Sequence, residues 1–152
     1  RTSVTENRLT GFYRACDELG LEIPEEYVRE GVYHDPDRCA ELTQELLKLE
    51  VPPTCILMPD DISSIGGGNA IRRMGFRLPG DVSEAGYDGI QLSSVMNPPL
   101  TTYRQDTQAL GKTAAAKLIE LIEKPRTALV DRILIPGRLV EGASVQAIEP
   151  QE

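Results

Sequence analysis

The chain has 152 residues, of which 40% are hydrophobic and 26% are charged. This length fits one domain or one lobe of a larger protein, and the apolar fraction is high enough to exclude a mainly disordered chain. A net charge of −8 disfavours binding of phosphate backbones by this chain alone. The three cysteines do not form a paired pattern, and no run of about 20 apolar residues occurs, so we expect a reduced, cytoplasmic protein without a membrane span.

The start of the chain suggests that it is part of a longer protein. Its first residue is Arg1 rather than Met, and a helix is predicted almost immediately. No basic region followed by an apolar run is visible, so no signal peptide is predicted. We therefore expect a fragment from which an upstream segment has been removed.

The first third of the chain predicts a helix, a strand and a second helix. Capping-box spacing and an apolar face predict the first helix over Val4–Leu19, with Gly20 as its stop. The β-favouring stretch Tyr27–Tyr33 predicts a strand. Asp35 followed by Pro36 predicts the start of the second helix.

The middle of the chain predicts a buried parallel strand followed by a third helix. The strand is the continuous apolar run Thr54–Met58. Asp60 and Asp61 close it and open a helix that runs to Met74, with Asp61 as the expected N-cap and no capping role for Asp60. The glycine run Gly66–Gly68 lacks the Lys-Ser/Thr of a phosphate loop, and we interpret it as close helix packing or a soft spot in that helix.

The last part of the chain continues the alternation of strands and helices. In chain order, the predicted elements are a strand at Val82–Tyr87, a turn at Asp88-Gly89, a short helical stretch to Val95, a strand at Leu100–Arg104, a helix at Thr107–Glu123, and strands at Leu129–Ile135 and Leu139-Val140. This alternation predicts an α/β protein with a largely parallel sheet.

Most motifs of catalysis and metal binding are absent. The only histidine is His34, so a site with two histidine ligands is excluded, and no Cys-x-x-Cys pair suggests zinc. No Gly-x-Ser-x-Gly motif occurs. We therefore expect no metal and no cofactor, and we interpret His34 as an ordinary loop residue.

Polar residues at the ends of predicted strands are the candidates for a functional site. Ligands of open parallel sheets bind beyond the carboxyl ends of the strands, and Asp60, Asp61 and Asp88 lie there. Asp88 also suits a plain turn before Gly89. An α/β enzyme or a phospho-receiver domain that uses Asp60 and Asp61 as an acidic pair is the alternative. Arg8 lies near a helix start, where a cation is mildly unfavourable, which suggests a positional role.

Five segments follow one another with the order and spacing of a known set of motifs. They are Arg8-Leu9-Thr10-Gly11-Phe12, Pro53 to Asp61, Gly75 to Ser83, Gly86-Tyr87-Asp88 and Pro99 to Gln105. Together they resemble the lactose-repressor and purine-repressor (LacI/GalR) family of bacterial transcription regulators, over nearly the whole chain.

The resemblance implies a non-catalytic effector sensor. It implies a Rossmann-like parallel-sheet lobe of a periplasmic-binding-protein-like (type I) effector-binding domain. Residues 1–102 and about 126–145 would form the second lobe, and residues 103–125 would cross to the first lobe. The DNA-binding helix-turn-helix would lie outside this chain, so operator DNA would be bound only through that missing N-terminal region.

The resemblance also implies the site residues and the partners. Arg8, Tyr33, Asp60 and Asp88 would contact a small effector, and these groups suit a sugar or another polyhydroxylated molecule. Three departures from the family matter. Asp60 replaces the usual Asn, Glu84-Ala85 places a charge in a strand expected to be buried, and Glu141-Gly142 replaces an Arg-containing ending.

Second lobes of this family pair as homodimers, which places Ile65 and Met96 at the interface. The sequence adds weak support, since Ile65 lies among small residues that would permit close approach by another surface. Met96 lies in a turn, where we expect an exposed, adaptable side chain.

Overall fold

A computed structural model of the chain describes residues 3–127 and 132–147, which belong to two compact units divided between Glu30 and Gly31. The first unit contains helix α1, Ser3–Glu18, which confirms the first predicted helix. Gly20 ends it with a φ of +66°, and the Leu21 N–H donates to the Cys16 carbonyl at 2.8 Å. This is the left-handed glycine stop that the sequence indicates.

The strand predicted at Tyr27–Tyr33 is wrong. Glu25–Tyr27 forms a 3-10 turn that begins after Pro24, and no regular structure follows until the second helix. β-favouring residues form a strand only where a neighbouring strand supplies hydrogen bonds. The Tyr27 and Val28 N–H groups donate instead to Pro24 and Glu25 within the turn.

The second unit is an α/β arrangement around one four-stranded sheet. Its elements are α2 Pro36–Leu47, β1 Cys55–Leu57, α3 Asp61–Arg73, β2 Ser83–Asp88, a 3-10 turn Gln91–Val95, β3 Thr101–Arg104, α4 Thr107–Glu123 and β4 Arg138–Val140. The strand order is β1-β2-β3-β4. The first three strands are parallel and β4 is antiparallel, so the predicted α/β class with a largely parallel sheet is confirmed.

The apolar core of this unit lies between one face of the sheet and helices α2 and α3. Its buried members are Cys39, Leu46, Leu47, Ile56, Met58, Ile71 and Val82. The glycines of α3 allow this close packing, because a Cβ at Gly66 would collide with the Pro36 backbone. The interpretation of the glycine run as close helix packing is therefore confirmed.

Glu84 lies on the central strand β2 and is fully buried beneath α3. Neither of its carboxyl oxygens has a hydrogen-bond partner; the nearby Gly68 N–H lowers the pKa slightly without reaching bonding geometry. Burial raises the pKa of Glu84 to about 8, against a smaller opposing effect of the Arg72 guanidinium. The glutamate that the sequence places in a buried strand is therefore mainly a neutral carboxylic acid at neutral pH.

The end of the chain differs from the prediction. Part of the predicted strand Leu129–Ile135 lies outside the described residues, and residues 132–137 form no strand. Pro136 offers no N–H to a ladder, and the Gly137 N–H donates to the Tyr103 hydroxyl at 3.0 Å instead. The predicted strand at Leu139-Val140 is confirmed as β4. Over the residues that the structure describes, no helix has the length and apolar character needed to cross a bilayer.

Candidate functional site

The carboxyl ends of the three parallel strands lie side by side, and each is followed by a polar side chain. Asp60 follows β1, Asp88 is the last residue of β2, and Gln105 directly follows β3. Gln105 Nε2 donates a 2.6 Å hydrogen bond to Asp88 Oδ1, and the Gln105 N–H donates to the Asp88 carbonyl at 3.2 Å. This polar edge is where open parallel sheets bind ligands.

Asp60 is the N-cap of α3, which corrects the prediction that it has no capping role. Its Oδ1 accepts from the Ser63 N–H at 2.8 Å, and its Oδ2 accepts from the Ser63 hydroxyl and the His34 N–H, both at 2.9 Å. Burial acts to raise the pKa of Asp60, but the hydrogen bonds from His34 and Ser63 outweigh it and lower the pKa. The Asp60 carboxylate is fully buried, and its hydrogen bond from the His34 N–H holds the loop that carries His34.

Asp61, the expected cap, has a different role. Its Oδ1 accepts from the Thr102 hydroxyl at 2.6 Å and its Oδ2 from the Ile90 N–H at 2.9 Å. The side chain is fully buried, and this burial raises its pKa in spite of these hydrogen bonds. The prediction was wrong because sequence cannot distinguish two adjacent aspartates, of which only the one with extended backbone, Asp60, can cap.

His34 lies across the polar edge from Asp88. Its Nε2 is 3.9 Å from Asp88 Oδ2, and its side chain is 62% exposed. Among the described residues, His34 and Asp88 are the non-glycine residues with positive φ, +58° and +110°. Such conformations persist where the surrounding structure holds them, and they concentrate at binding sites.

The effector contacts predicted for Tyr33 and Arg8 rest on the family resemblance. Tyr33 precedes His34 in the chain and is more than one-third exposed. Arg8 is half-buried on α1 and belongs to the first compact unit. The structure brings His34, Asp60, Asp88 and Gln105 together. The effector contacts of Arg8, Tyr33, Asp60 and Asp88 all stay predictions.

The comparisons with known proteins identify the family. Residues 1–145 match the periplasmic binding protein-like domain family. The HTH-type transcriptional repressor PurR of Mannheimia succiniciproducens is 36% identical over 148 residues, which cover 97% of this chain and 44% of that protein. The chain belongs to the LacI/GalR family.

Solved structures of LacI-type regulators share this fold. A transcriptional regulator LacI from Bacillus cereus subsp. cytotoxis has a TM-score of 0.89 at 29% identity, over 96% of this chain and 51% of that one. The regulator CelR in complex with cellobiose has a TM-score of 0.83 at 27% identity, over 91% of this chain and 42% of that one. The chain thus spans about half the length, or less, of the LacI/GalR relatives that it matches.

The structure does not support the alternative that Asp60 and Asp61 form the acidic pair of an enzyme or a phospho-receiver domain. Asp60 and Asp61 are both buried and bond to different segments, so they do not form an accessible pair. Asp106, which has the rough spacing of a receiver phosphoacceptor, caps α4 by accepting from the Ala109 N–H at 2.8 Å. The LacI/GalR relatives are transcriptional repressors and not enzymes.

The argument from small residues at the predicted dimer interface is corrected. The small residues around Ile65 face inward: Gly66 packs on the Pro36 backbone, Gly67 mainly on Met58, and Gly68 on Glu84. Ile65 itself is half-buried, and Met96 is half-buried rather than exposed. Their place at a LacI/GalR dimer interface stays a prediction that rests on the family resemblance.

Two residues of the polar edge were missed by the sequence analysis. Gln105 had a usable signal, since it follows the carboxyl end of a parallel strand just as Asp60 and Asp88 do. His34 had none, because its position depends on the long-range hydrogen bond from its N–H to Asp60.

Proposed function

We propose that this chain is the effector-sensing and dimerisation part of a bacterial DNA-binding transcription regulator. The observation that carries the proposal is the polar edge of His34, Asp88 and Gln105 at the carboxyl ends of the parallel strands. In the LacI/GalR architecture this edge faces the first lobe, and a small molecule bound between the lobes modulates operator binding.

The chemistry of the edge favours a polyhydroxylated ligand, a sugar or a sugar derivative. The Asp88 carboxylate accepts hydrogen bonds from hydroxyl groups, and the Gln105 amide both donates and accepts. Tyr33 and His34 offer rings that can cover an apolar sugar face, and Arg8 adds a guanidinium donor. Asp60 contributes by positioning His34. Related regulators bound to cellobiose and to ONPG are consistent with this class.

The exposed face of α4 supports the presence of a first lobe against which this helix packs. None of its described residues is buried, and Leu118, Ile119 and Ile122 are each more than half exposed. An exposed apolar stripe of this kind marks a packing surface. We infer that residues 103–125 cross to the first lobe, while residues 1–102 and about 126–145 form the second.

Operator binding belongs to the whole regulator rather than to this chain. The net charge of −8 disfavours contact with DNA phosphates, so a separate N-terminal region would bind the operator. Such a regulator works as a homodimer, because a two-fold protein reads a palindromic site, and it works in the cytoplasm, where the DNA lies.

Thermal-shift screening of the full-length protein tests the ligand class. The panel contains cellobiose, lactose, monosaccharides, sugar phosphates and, as planar contrast compounds, purine bases. A ligand at 100 times its Kd stabilises the protein by about 2.7 kcal/mol, which gives a clear rise in Tm. Stabilisation by purine bases alone would overturn the sugar assignment.

Calorimetry then tests the site with the saccharide that stabilises most. Asp88→Ala and Arg8→Ala should each weaken binding, since an unsatisfied buried partner costs about 1–3 kcal/mol. Asp37→Asn, which neutralises an exposed carboxylate on α2, is the matched control and should bind normally. Unchanged affinity in both site variants would refute the assignment.

A further inference from the structure

The buried Asp61 carboxylate joins the start of α3 to the turn that carries Asp88. Asp61 Oδ2 accepts from the Ile90 N–H at 2.9 Å, and Oδ1 accepts from the Thr102 hydroxyl at 2.6 Å. The Thr102 Oγ1 atom in turn accepts from the Gly89 N–H at 3.3 Å. Both N–H groups that follow Asp88 are therefore held by one buried pair of side chains.

The turn needs such support because its backbone is strained. Asp88 has a φ of +110° and Gly89 a φ of +68°, so two successive residues lie at positive φ. This conformation is uncommon for a non-glycine residue, and it persists only where neighbours hold it. Asp61 and Thr102 are 0% and 1% exposed, so water does not compete for their hydrogen bonds.

The strand before the turn leaves room for this contact. A Cβ at Gly86 would collide with Asp61 Oδ1 and would lie 2.7 Å from a Leu100 methyl carbon. Glycine at position 86 therefore lets the Asp61 carboxylate pass under β2 to reach Thr102 on β3. The Gly86-Tyr87-Asp88 motif therefore contains the glycine that leaves space for the Asp61 side chain. It also contains the strained residue, Asp88, whose turn Asp61 holds.

We propose that Asp61 and Thr102 are positioning residues that hold the Asp88–Ile90 turn in its effector-binding conformation and couple it to α3. The inference rests on the proposed function, in which Asp88 contacts the effector. Since Asp61 is the first residue of α3, a displacement of the turn is transmitted directly to that helix. Asp88 contacts the effector, and Asp61 and Thr102 fix the position of Asp88.

Amide exchange of the full-length protein without any effector tests the inference by NMR. Thr102→Val removes the hydroxyl at nearly constant volume, and Thr102→Ser keeps it. In Thr102→Val the Gly89 and Ile90 amides should exchange roughly five- to tenfold faster, while Thr102→Ser should behave like the unchanged protein. The Met58 N–H, which donates to the Ala85 carbonyl, should keep its rate and so reports on general destabilisation.

A second measurement reports on Asp88 itself. The Gln105 side-chain amide donates to Asp88 Oδ1, so its resonance should shift in Thr102→Val and in Asp61→Asn. In an Asp88→Ala background, where the Gln105 amide has lost its acceptor, Thr102→Val should shift the Gln105 resonance much less, whereas a general loosening of the structure would shift it equally. Asp61→Asn is the second variant, for use if the valine variant does not fold. Its amide oxygen replaces only one of the two carboxylate oxygens, so the Ile90 N–H and the Thr102 hydroxyl no longer each have an acceptor oxygen of their own.

The outcomes are decisive in both directions. Unchanged Gly89, Ile90 and Gln105 signals in a folded Thr102→Val or Asp61→Asn variant would overturn the inference. Equal acceleration of the Met58 amide would also overturn it, because the effect would then be general. No effector is needed, so a negative ligand screen would refute the proposed function and leave this result standing.

Discussion

Asp60 Oδ2 accepts a 2.9 Å hydrogen bond from the His34 N–H, across 26 residues of sequence. The same carboxylate caps α3 through the Ser63 N–H and hydroxyl. Two backbone N–H groups, which can only donate, bond to different oxygens of Asp60, so a carboxylate fits this position better than the amide of the asparagine usual in the family. The departure at position 60 therefore has a local physical cause.

We expect Asp60→Asn to lower the stability of the protein. An asparagine keeps the cap to the Ser63 N–H but turns its NH2 group toward remaining donors, which costs about 1–3 kcal/mol. Asp35→Asn is the matched control, because Asp35 caps α2 by accepting a hydrogen bond from the Arg38 N–H. Denaturant unfolding of both variants measures the difference. Equal losses would show that the His34 contact contributes nothing.

We expect Glu84 to make stability fall with rising pH. The folded state keeps the proton up to a pKa of about 8, whereas the unfolded chain releases it near the ordinary value of 4.5. The contribution is therefore full below about pH 4.5 and is lost as the pH rises to about 8. Each unit of pKa difference corresponds to about 1.4 kcal/mol, so the total is a few kcal/mol.

The measurement compares the unfolding free energy of the protein and of Glu84→Gln from pH 4 to 9. The glutamine has nearly the shape of the protonated glutamate and cannot ionise. The difference between the two proteins should therefore grow with pH in favour of the variant and level off above about pH 8. Parallel curves over this range would show that Glu84 does not keep a raised pKa.

We expect opposite effects from alanine at two helix glycines. At Gly66 on α3 a Cβ would collide with the Pro36 backbone, so Gly66→Ala should cost at least about 1–3 kcal/mol. At Gly11 on α1 a Cβ would meet nothing within 4 Å, so Gly11→Ala should stabilise by about 0.5–1 kcal/mol. Thermal unfolding distinguishes the two. A gain in both would contradict the tight contact between α2 and α3.

We expect Ile65→Arg to convert the proposed dimer of the full-length protein to a monomer. A charge buried at an interface without a partner is strongly unfavourable. Sedimentation equilibrium measures the mass, and circular dichroism checks the fold. Val51→Arg, which introduces the same charge at a 67% exposed apolar residue, should remain dimeric. A folded, dimeric Ile65→Arg protein would remove Ile65 from the interface, and an unfolded one would place it in the core.

Helices and the position of β1 could be predicted because their signals are local. The prediction that β1 is a fully buried strand is wrong, since Ile56 is buried but Cys55 and Leu57 are exposed. Capping residues, proline at the first turn and the apolar run before Asp60 led to the helix starts and to β1. The segment Tyr27–Tyr33 could not be predicted correctly, because a strand depends on a partner that the local sequence does not reveal. The roles of Asp60 and Asp61 were exchanged for the same reason: both depend on residues distant in sequence, His34 and Thr102.

The candidate site could be predicted where it follows strand ends. The rule that ligands bind beyond the carboxyl ends of parallel strands predicted Asp88. Applied to β3 as well, it would also have predicted Gln105. His34 could not be found, because its backbone conformation is fixed by a contact with Asp60. The family resemblance predicted the roles of Arg8, Tyr33, Ile65 and Met96, and these roles stay predictions until experiments test them.

The buried glutamate beneath α3 restricts the order in which mutations can accumulate during evolution. While Glu84 is present, a Cβ at position 68 would lie 2.7 Å from its Oε2 atom, so alanine there requires the buried carboxyl group to shift. Once Glu84 is replaced by a small apolar residue, alanine at position 68 becomes the better helix former by about 1 kcal/mol. The reverse order is disfavoured, since an alanine acquired first would crowd the carboxyl group. Lineages with a small apolar residue at position 84 should therefore be the ones that lose the glycine.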